Sequence, residues 1–177
     1  MRRLIESVLI SLDGITGSPE RWANFDDEDA AYAHEQLRGF DAFVMGRVTY
    51  ENFYANWGGI TGDPYIELIG SMPKYVASRS LTETNWNATL LGSDPADAIA
   101  RIKQQPGKDL IKYGTSRFDD TLLRAHRIDE FHFWIRPVVV RAGQRRFEDV
   151  DISALKLTLQ GHRRFDNGSV ILTYQPN

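Results

Sequence analysis

Short apolar runs alternate with amphipathic stretches along most of this chain. Residues 4–12, 41–45, 74–78, 88–92 and 109–113 are mostly apolar and are bounded by Gly, Pro, Asp or Ser, which is typical of buried strands. Helical spacing of apolar residues follows several of these runs. Strands that alternate with helices predict a mainly parallel sheet with helices on its faces.

Four helices are predicted between the strands. The acidic run at residues 26–29 opens the first helix, and Gly39 ends it. A second helix is expected around Thr49 to Ala55, and a third after the capping pair Asp94-Pro95. The fourth carries Phe118, Leu122 and Leu123. The apolar residues of the segment from Trp57 through Asp63-Pro64 show no clear periodicity, which predicts a long loop with a functional role.

The C-terminal part has a different pattern. Residues 131–140 form a β-run that Pro137 interrupts, and residues 155–159 alternate leucine with polar residues. Asp166-Asn-Gly168 then predicts a hairpin turn into a last strand at 169–174. The sequence contains no repeat or linker, so we expect one domain over residues 1–177 with an antiparallel hairpin at its end.

Polar or glycine turns follow four of the predicted strands. In such sheets ligands bind outside the carboxyl ends of the parallel strands, so these turns are expected to share one edge. They are Asp13, Gly46-Arg47, Ser78-Arg79-Ser80 and Gly114-Thr115-Ser116.

The turn at Gly46 has the chemistry of an anion site. The first N–H groups of a helix lack intrahelical partners and favour negative charge, and glycine lets a ligand approach the main chain. Arg47 and Arg79 are candidates to hold a phosphate bidentately, and Thr49 to donate to a pyrophosphate. The set suits a dinucleotide with an extra phosphate. The alternatives are a simple turn at Gly46 and surface ion pairs at the arginines.

Asp13 is the carboxylate that the pattern places at the end of the first strand. There it is a candidate to orient a substrate or to protonate it through a water molecule. The alternative is a turn-forming residue in an Asp-Gly pair.

Composition excludes several classes of protein. The 177 residues carry a net charge of −3 and no cysteine, which argues against a nucleic-acid or membrane surface and excludes disulfides and thiolate metal sites. The pair Arg145-Arg146 is expected to be solvated. We predict a cytoplasmic chain without a metal site or membrane segment. A hydrolase interpretation of Gly114-Thr-Ser116-Arg-Phe118 lacks the closing glycine of a nucleophile elbow.

An ordered set of motifs resembles the dihydrofolate reductase-like family, in the branch related to the reductase domain of the bifunctional riboflavin enzyme. The set spans nearly the whole chain. It comprises Ser11-Leu12-Asp13-Gly14, Gly46-Arg47-x-Thr49-Tyr50-Glu51, Pro73-Lys74-Tyr-Val-x-Ser78-Arg79, Tyr113-Gly114-Thr115-Ser116, Ile128-Asp129-Glu130, Pro137-Val138-Val139 and Gly168-Ser-Val-x-Leu-x-Tyr174.

The resemblance implies a dihydrofolate reductase-like sheet, an NADPH cofactor and a homodimer. By this resemblance, the cofactor phosphates would contact Gly46, Arg47 and Thr49, and the 2′-phosphoadenosine end would contact residues 78–80. The pyrophosphate would contact residues 114–116, and the substrate would contact Asp13. Threonine stands at position 115 where dihydrofolate reductases have a second glycine, and no first-helix acid is assigned to a substrate. The zinc ligands of the riboflavin deaminase are absent.

Two functions are consistent with these motifs. The first is an NADPH-dependent reductase that transfers a hydride to a small heterocyclic or carbonyl substrate. The second is a non-catalytic sensor or scaffold that has kept the fold and the NADP(H) pocket. Asp13 and the segment around Trp57 favour the enzyme.

Overall fold

The structure, a computed structural model, describes residues 1–148 and 155–177. The strands in these residues form one eight-stranded sheet with the order β4-β3-β2-β5-β1-β6-β8-β7. The strands are β1 (Leu4–Ser11), β2 (Phe40–Gly46), β3 (Lys74–Ala77), β4 (Ala88–Leu90), β5 (Asp109–Tyr113), β6 (Glu130–Arg136), β7 (Leu157–Arg164) and β8 (Val170–Pro176). The helices are α1 (Asp27–Leu37), α2 (Arg47–Trp57), α3 (Pro64–Ser71), α4 (Pro95–Gln104) and α5 (Phe118–Arg124).

Six neighbouring strands, from β4 to β6, pair in parallel, and β8 pairs antiparallel with both β6 and β7. The predicted mixed sheet with a C-terminal antiparallel hairpin is therefore confirmed. Because the six strands run in the same direction, their carboxyl ends lie at one edge of the sheet.

Helices cover both faces of the sheet. On one face, Ile99 and Ile102 of α4 and Leu122 of α5 pack on alternate residues of the central strands, such as Leu4 and Leu110. On the other face, α1, α2 and α3 pack on the opposite residues of the same strands. This two-sided burial explains the continuous apolar run from Ala42 to Met45 in β2.

Three helices begin at an aspartate that caps them. The side chains of Asp26, Asp63 and Asp94 accept backbone N–H groups in the first turns of α1, α3 and α4. The cap at Asp63 corrects one prediction. The expected loop after Trp57 contains α3, which begins with the same Asp-Pro signal that correctly predicted α4.

The C-terminal strands differ from the prediction in their bounds. The predicted run to Val140 ends at Arg136, since Pro137 has no N–H to continue the ladder. The strand expected at 155–159 begins at Leu157 and continues to Arg164. Within the described ranges, no helix is both long and apolar enough to cross a membrane.

Candidate functional site

The four predicted turns follow four strands that are neighbours in the sheet, in the order β3, β2, β5 and β1. Gly46 at the end of β2 is the register partner of Ala77 at the end of β3, so Arg47 and Ser78 leave the sheet side by side. Val44 is likewise opposite Lys112, two residues before Gly114. The turns after β3, β2 and β5 therefore share one level of the edge.

Gly114 is packed so closely that no side chain fits there. Its φ is +74°, a left-handed conformation that favours glycine, and a Cβ atom would lie 2.4 Å from Oγ1 of Thr49. Thr49 stands in the first turn of α2. The turn after β5 is thus pressed against the helix that follows β2.

Gly46 makes a second close approach between the same two turns. Its φ is −77°, which any residue adopts, but a Cβ atom would lie 3.0 Å from Oγ of Ser116. Gly46, Thr49, Gly114 and Ser116 therefore form one compact group, which we call the glycine cradle. The sequence prediction that these turns come together is confirmed for these four residues.

The first turn of α2 faces the solvent without a cap. Gly46, its N-cap residue, has no side chain to accept its N–H groups, and its first turn contains no acidic residue. The eleven-residue helix starts beside the glycine cradle, and Arg47 and Val48 in its first turn are exposed. Free N–H groups and the positive end of the helix dipole favour an anion at this position.

The two arginines of the predicted clamp differ in their surroundings. Arg47 makes an exposed ion pair with Glu51, one turn along α2, at 2.7 Å. Exposed i,i+4 pairs contribute about 0.3–0.5 kcal/mol, so an anionic ligand can replace Glu51 at little cost. Arg79 is exposed and makes no ion pair within residues 1–148 and 155–177.

Ser78 and Ser80 belong to a turn that the Ser78 hydroxyl organises. Its oxygen accepts the N–H groups of Ser80 at 3.1 Å and of Leu81 at 2.9 Å. The hydroxyl hydrogen is still available to donate. The turn holds Arg79 at the carboxyl edge, next to the start of α2.

Asp13 stands further along the strand direction than the glycine cradle. Ser7 of β1 is opposite Tyr113, so β1 continues four residues beyond the end of β5 to Ser11. Below Asp13 the chain returns to the level of the cradle, where the hydroxyls of Thr16 and Thr115 are 3.1 Å apart. Thr115 therefore joins the β5 turn to the β1 turn.

The carboxylate of Asp13 is hydrogen-bonded both within its own turn and to the segment that follows β6. It accepts the hydroxyl of Ser11 at 2.7 Å and the N–H groups of Val140 at 3.1 Å and Arg141 at 2.8 Å. These hydrogen bonds lower the pKa of Asp13 to about 2, and the one from Ser11 has the largest effect. At neutral pH the group is ionised, so it orients donors and has no proton to donate. This geometry matches the turn-forming alternative, and a catalytic role for Asp13 stays a prediction.

Four buried ionisable side chains lie under the β5 turn, and no pattern in the sequence indicated this cluster. Lys112 Nζ is 2.6 Å from Asp119 and 3.6 Å from Glu6, while Arg146 pairs with both carboxylates. We call these residues the charge network. Burial raises the pKa of the Glu6 carboxyl, against the opposing effect of Lys112. Arg146, expected to be solvated, is only 9% exposed, so that expectation is wrong.

Two aspartates at the start of α1, Asp27 and Asp29, differ in their burial. Asp29 is fully buried and pairs with Arg136 of β6 at 2.7 Å, and it also accepts the side-chain amide of Asn167. Asp27 is exposed at the start of α1. Since Asp29 is already paired with a buried guanidinium, its charge is compensated inside the protein.

Two cavities lie away from the predicted residues. One, of about 500 Å³, is at the opposite edge of the sheet, around Arg2 and residues 104–109. The other, of about 380 Å³, lies beyond the end of β6 between Trp22, Phe25 and Pro137. The cradle residues line neither of these two cavities.

Comparison with known proteins agrees with this architecture. The uncharacterized protein YyaP of Bacillus subtilis strain 168 is 29% identical over 99% of this chain and 96% of its own length. A structure from Shewanella sp. PV-4, provisionally assigned to riboflavin biosynthesis, has a TM-score of 0.75 at 21% identity and 99% coverage of both chains. Dihydrofolate reductase from Enterococcus faecalis, solved with NADP(H), has a TM-score of 0.65 at 14% identity, covering 99% of this chain and 96% of that one.

These two structures share the fold, as expected from the resemblance in the sequence. The family model described as the RibD C-terminal domain matches residues 2–171, which include all four turns at the carboxyl edge. The chain therefore belongs to the RibD C-terminal domain family.

Proposed function

We propose that this protein binds NADPH along the carboxyl edge of its sheet and reduces a small heterocyclic or carbonyl compound. The observation that supports the proposal is the glycine cradle, in which two turns from neighbouring strands meet with no space for a Cβ atom. The cradle holds the start of α2 against the β5 turn, and the backbone N–H groups that this brings to one place suit a pyrophosphate. Membership of a reductase-domain family, and the NADP(H) in the Enterococcus structure, support the choice of cofactor.

The residues of the edge would meet the parts of NADPH in the order of the strands that carry them. The uncapped N–H groups of α2 and the turn at residues 114–116 would hold the pyrophosphate. Arg79 and Ser78 would hold the 2′-phosphate, with Arg47 beside them once it leaves Glu51. NADPH supplies a hydride when it is bound, and the protein supplies binding and orientation.

Asp13 would act on the substrate side of the edge as a carboxylate. Its pKa of about 2 makes it an acceptor at neutral pH, so a proton needed by the substrate would come from water. Asp13 would hold the segment that follows β6 through the N–H groups of Val140 and Arg141. The exposed side chains of Leu12 and Val139 flank this contact and offer an apolar surface.

Thermal unfolding with and without nucleotide tests cofactor binding. A ligand that binds only the folded state adds about 2.7 kcal/mol at 100 times its Kd, which is about 5–10 °C in Tm for a chain of this size. We expect NADPH to give this shift at a lower concentration than NADH. The variants Arg79→Ala and Arg47→Ala should reduce this preference, because they remove the groups proposed to hold the 2′-phosphate.

Arg101→Ala is a matched control for the arginine variants. Arg101 makes an exposed i,i+4 ion pair with Asp97 on α4, as Arg47 does with Glu51 on α2. The control should leave the NADPH preference unchanged. If the Arg47 and Arg79 variants behave like the control, the proposed phosphate clamp is wrong.

Activity is tested by following NADPH oxidation with pterins, pyrimidine-type heterocycles, quinones and simple carbonyls. Turnover of a compound from this panel is expected, and Asp13→Asn should lower kcat more than it changes NADPH affinity. Binding of NADPH without turnover across a broad panel would overturn the reductase and favour the non-catalytic alternative. The homodimer implied by the resemblance is also a proposal, and sedimentation of the purified chain tests it.

A further inference from the structure

The charge network is unusual because four ionisable side chains from distant parts of the chain share one buried site. Glu6 is on β1, Lys112 on β5, Asp119 on α5 and Arg146 on the segment that follows β6. All four are at most 9% exposed, and their formal charges cancel. Burying ions costs several kcal/mol each even when they are paired, and apolar residues of similar volume often stabilise a core as well or better. Stability alone therefore gives a weak reason for this arrangement.

The position of the network indicates another role. Lys112 Nζ donates to the backbone carbonyl of Gly114 at 2.6 Å, while it is paired with Asp119 at the same distance. Asp119 accepts the backbone N–H of Ser116 at 3.1 Å. Two of the three residues of the β5 turn are thus held directly by the network, on the side of the turn that faces the protein.

The network also reaches the turn after β1. The backbone N–H of Arg146 donates to the carbonyl of Gly14 at 3.2 Å, and its guanidinium pairs with Glu6 below. The neighbouring Gln144 carbonyl accepts the N–H of Thr16, whose hydroxyl is close to that of Thr115. The same group of charges therefore lies under both turns.

We propose that the charge network is a positioning device that holds the Gly114–Ser116 turn in the conformation that receives the cofactor pyrophosphate. This inference rests on the proposed function. The left-handed φ of Gly114 and the closeness of Thr49 give this turn one specific conformation. A charged hydrogen bond to its carbonyl and a carboxylate on the N–H of Ser116 fix it at both ends.

The test compares two buried lysines. Lys112→Met removes the donor to Gly114, whereas Lys103→Met removes a lysine that is 5% exposed and pairs with Asp129. Lys103 also donates to a backbone carbonyl, that of Arg127, at 3.1 Å. It lies near the amino end of β1, at the opposite edge of the sheet. The two variants lose similar interactions at different ends of the molecule.

NADPH binding by each variant is measured by calorimetry below its own melting temperature. We expect Lys112→Met to raise the Kd for NADPH by about tenfold or more, as loss of a hydrogen bond to a charged group would do. Lys103→Met should leave the Kd within about twofold of the wild type. Adenosine 2′-phosphate, which lacks the pyrophosphate, should bind wild type and Lys112→Met equally. A merely structural defect would weaken both ligands.

A second variant keeps the test decisive if Lys112→Met does not fold. The double variant Glu6→Gln/Lys112→Met removes one charge of each sign and leaves the Asp119–Arg146 pair in place. If either folded variant binds NADPH as the wild type does, the positioning role is refuted and the proposed function stands. If the wild type itself does not bind NADPH, the proposed function fails, which is a different result.

Discussion

The close packing of Gly114 against α2 can be tested by stability alone, without any ligand. In Gly114→Ala the new Cβ would lie 2.4 Å from Oγ1 of Thr49, 3.3 Å from its Cγ2 and 3.4 Å from its Cβ. Rotation about χ1 of Thr49 moves Oγ1 but leaves the Cβ of Thr49 3.4 Å from the new atom, and the rotamers of a β-branched residue in a helix are restricted. We therefore expect the substitution to force a less favourable rotamer of Thr49 or a small displacement of α2 from the end of β5.

The expected loss has two parts. The left-handed conformation costs a non-glycine residue about 1–2 kcal/mol, which is partly offset by about 0.4–1 kcal/mol from the less flexible unfolded chain. Overpacking adds about 1–3 kcal/mol. We expect Gly114→Ala to lower the free energy of unfolding by about 2–4 kcal/mol, and Tm by about 2–4 °C for each kcal/mol.

Two other glycines separate these contributions. Gly92 has φ +78°, and a Cβ atom added there would have no neighbouring atom within 4 Å, so Gly92→Ala shows the backbone cost alone. Gly46 has φ −77°, and a Cβ atom added there would lie 3.0 Å from Oγ of Ser116, so Gly46→Ala reports the cost of the close approach alone. The double variant Gly114→Ala/Thr49→Ala should recover most of the extra loss, measured as a coupling energy in urea denaturation. The reasoning fails if Gly114→Ala is no less stable than Gly92→Ala.

Two further predictions concern buried and exposed carboxylates. Arg136→Met leaves Asp29 buried without its cationic partner and should lower the free energy of unfolding, measured in urea, by about 3–5 kcal/mol. The double variant Arg136→Met/Asp29→Asn should recover much of this stability. Equal losses in the single and the double variant would contradict the prediction. Hydrogen bonds, that from Ser11 first, hold the pKa of Asp13 at about 2, below its ordinary 3.8. Its stabilising contribution is therefore present above about pH 4 and lost as the pH falls through 2. The amide NMR signals of Val140 and Arg141 should shift with a midpoint near 2, and Asp13→Asn should abolish that titration.

The sheet, the order of most elements and the turns at the carboxyl edge could be predicted from the sequence. These features depend on signals within a few residues, such as the apolar run from Ala42 to Met45 and the glycine that ends it. The same local signal for α3, Asp63 before Pro64, was present but was hidden among glycines. Local patterns predicted that Gly46 and Gly114 would be near each other because both end parallel strands.

The contacts that support those turns are visible only in the folded protein. The sequence around Lys112 does not indicate which residues pair with it. Its partner Glu6 comes early in the chain and Arg146, which binds the same carboxylate, follows 140 residues after Glu6. The adjacent pair Arg145-Arg146 is typical of solvated surface residues. Arg146 is nevertheless buried, because the fold places the carboxylates of Glu6 and Asp119 next to it. The contact between Gly114 and Thr49 likewise depends on how closely α2 packs on the end of β5. Such distances are set by the packing of whole elements, which short-range patterns in the sequence do not record.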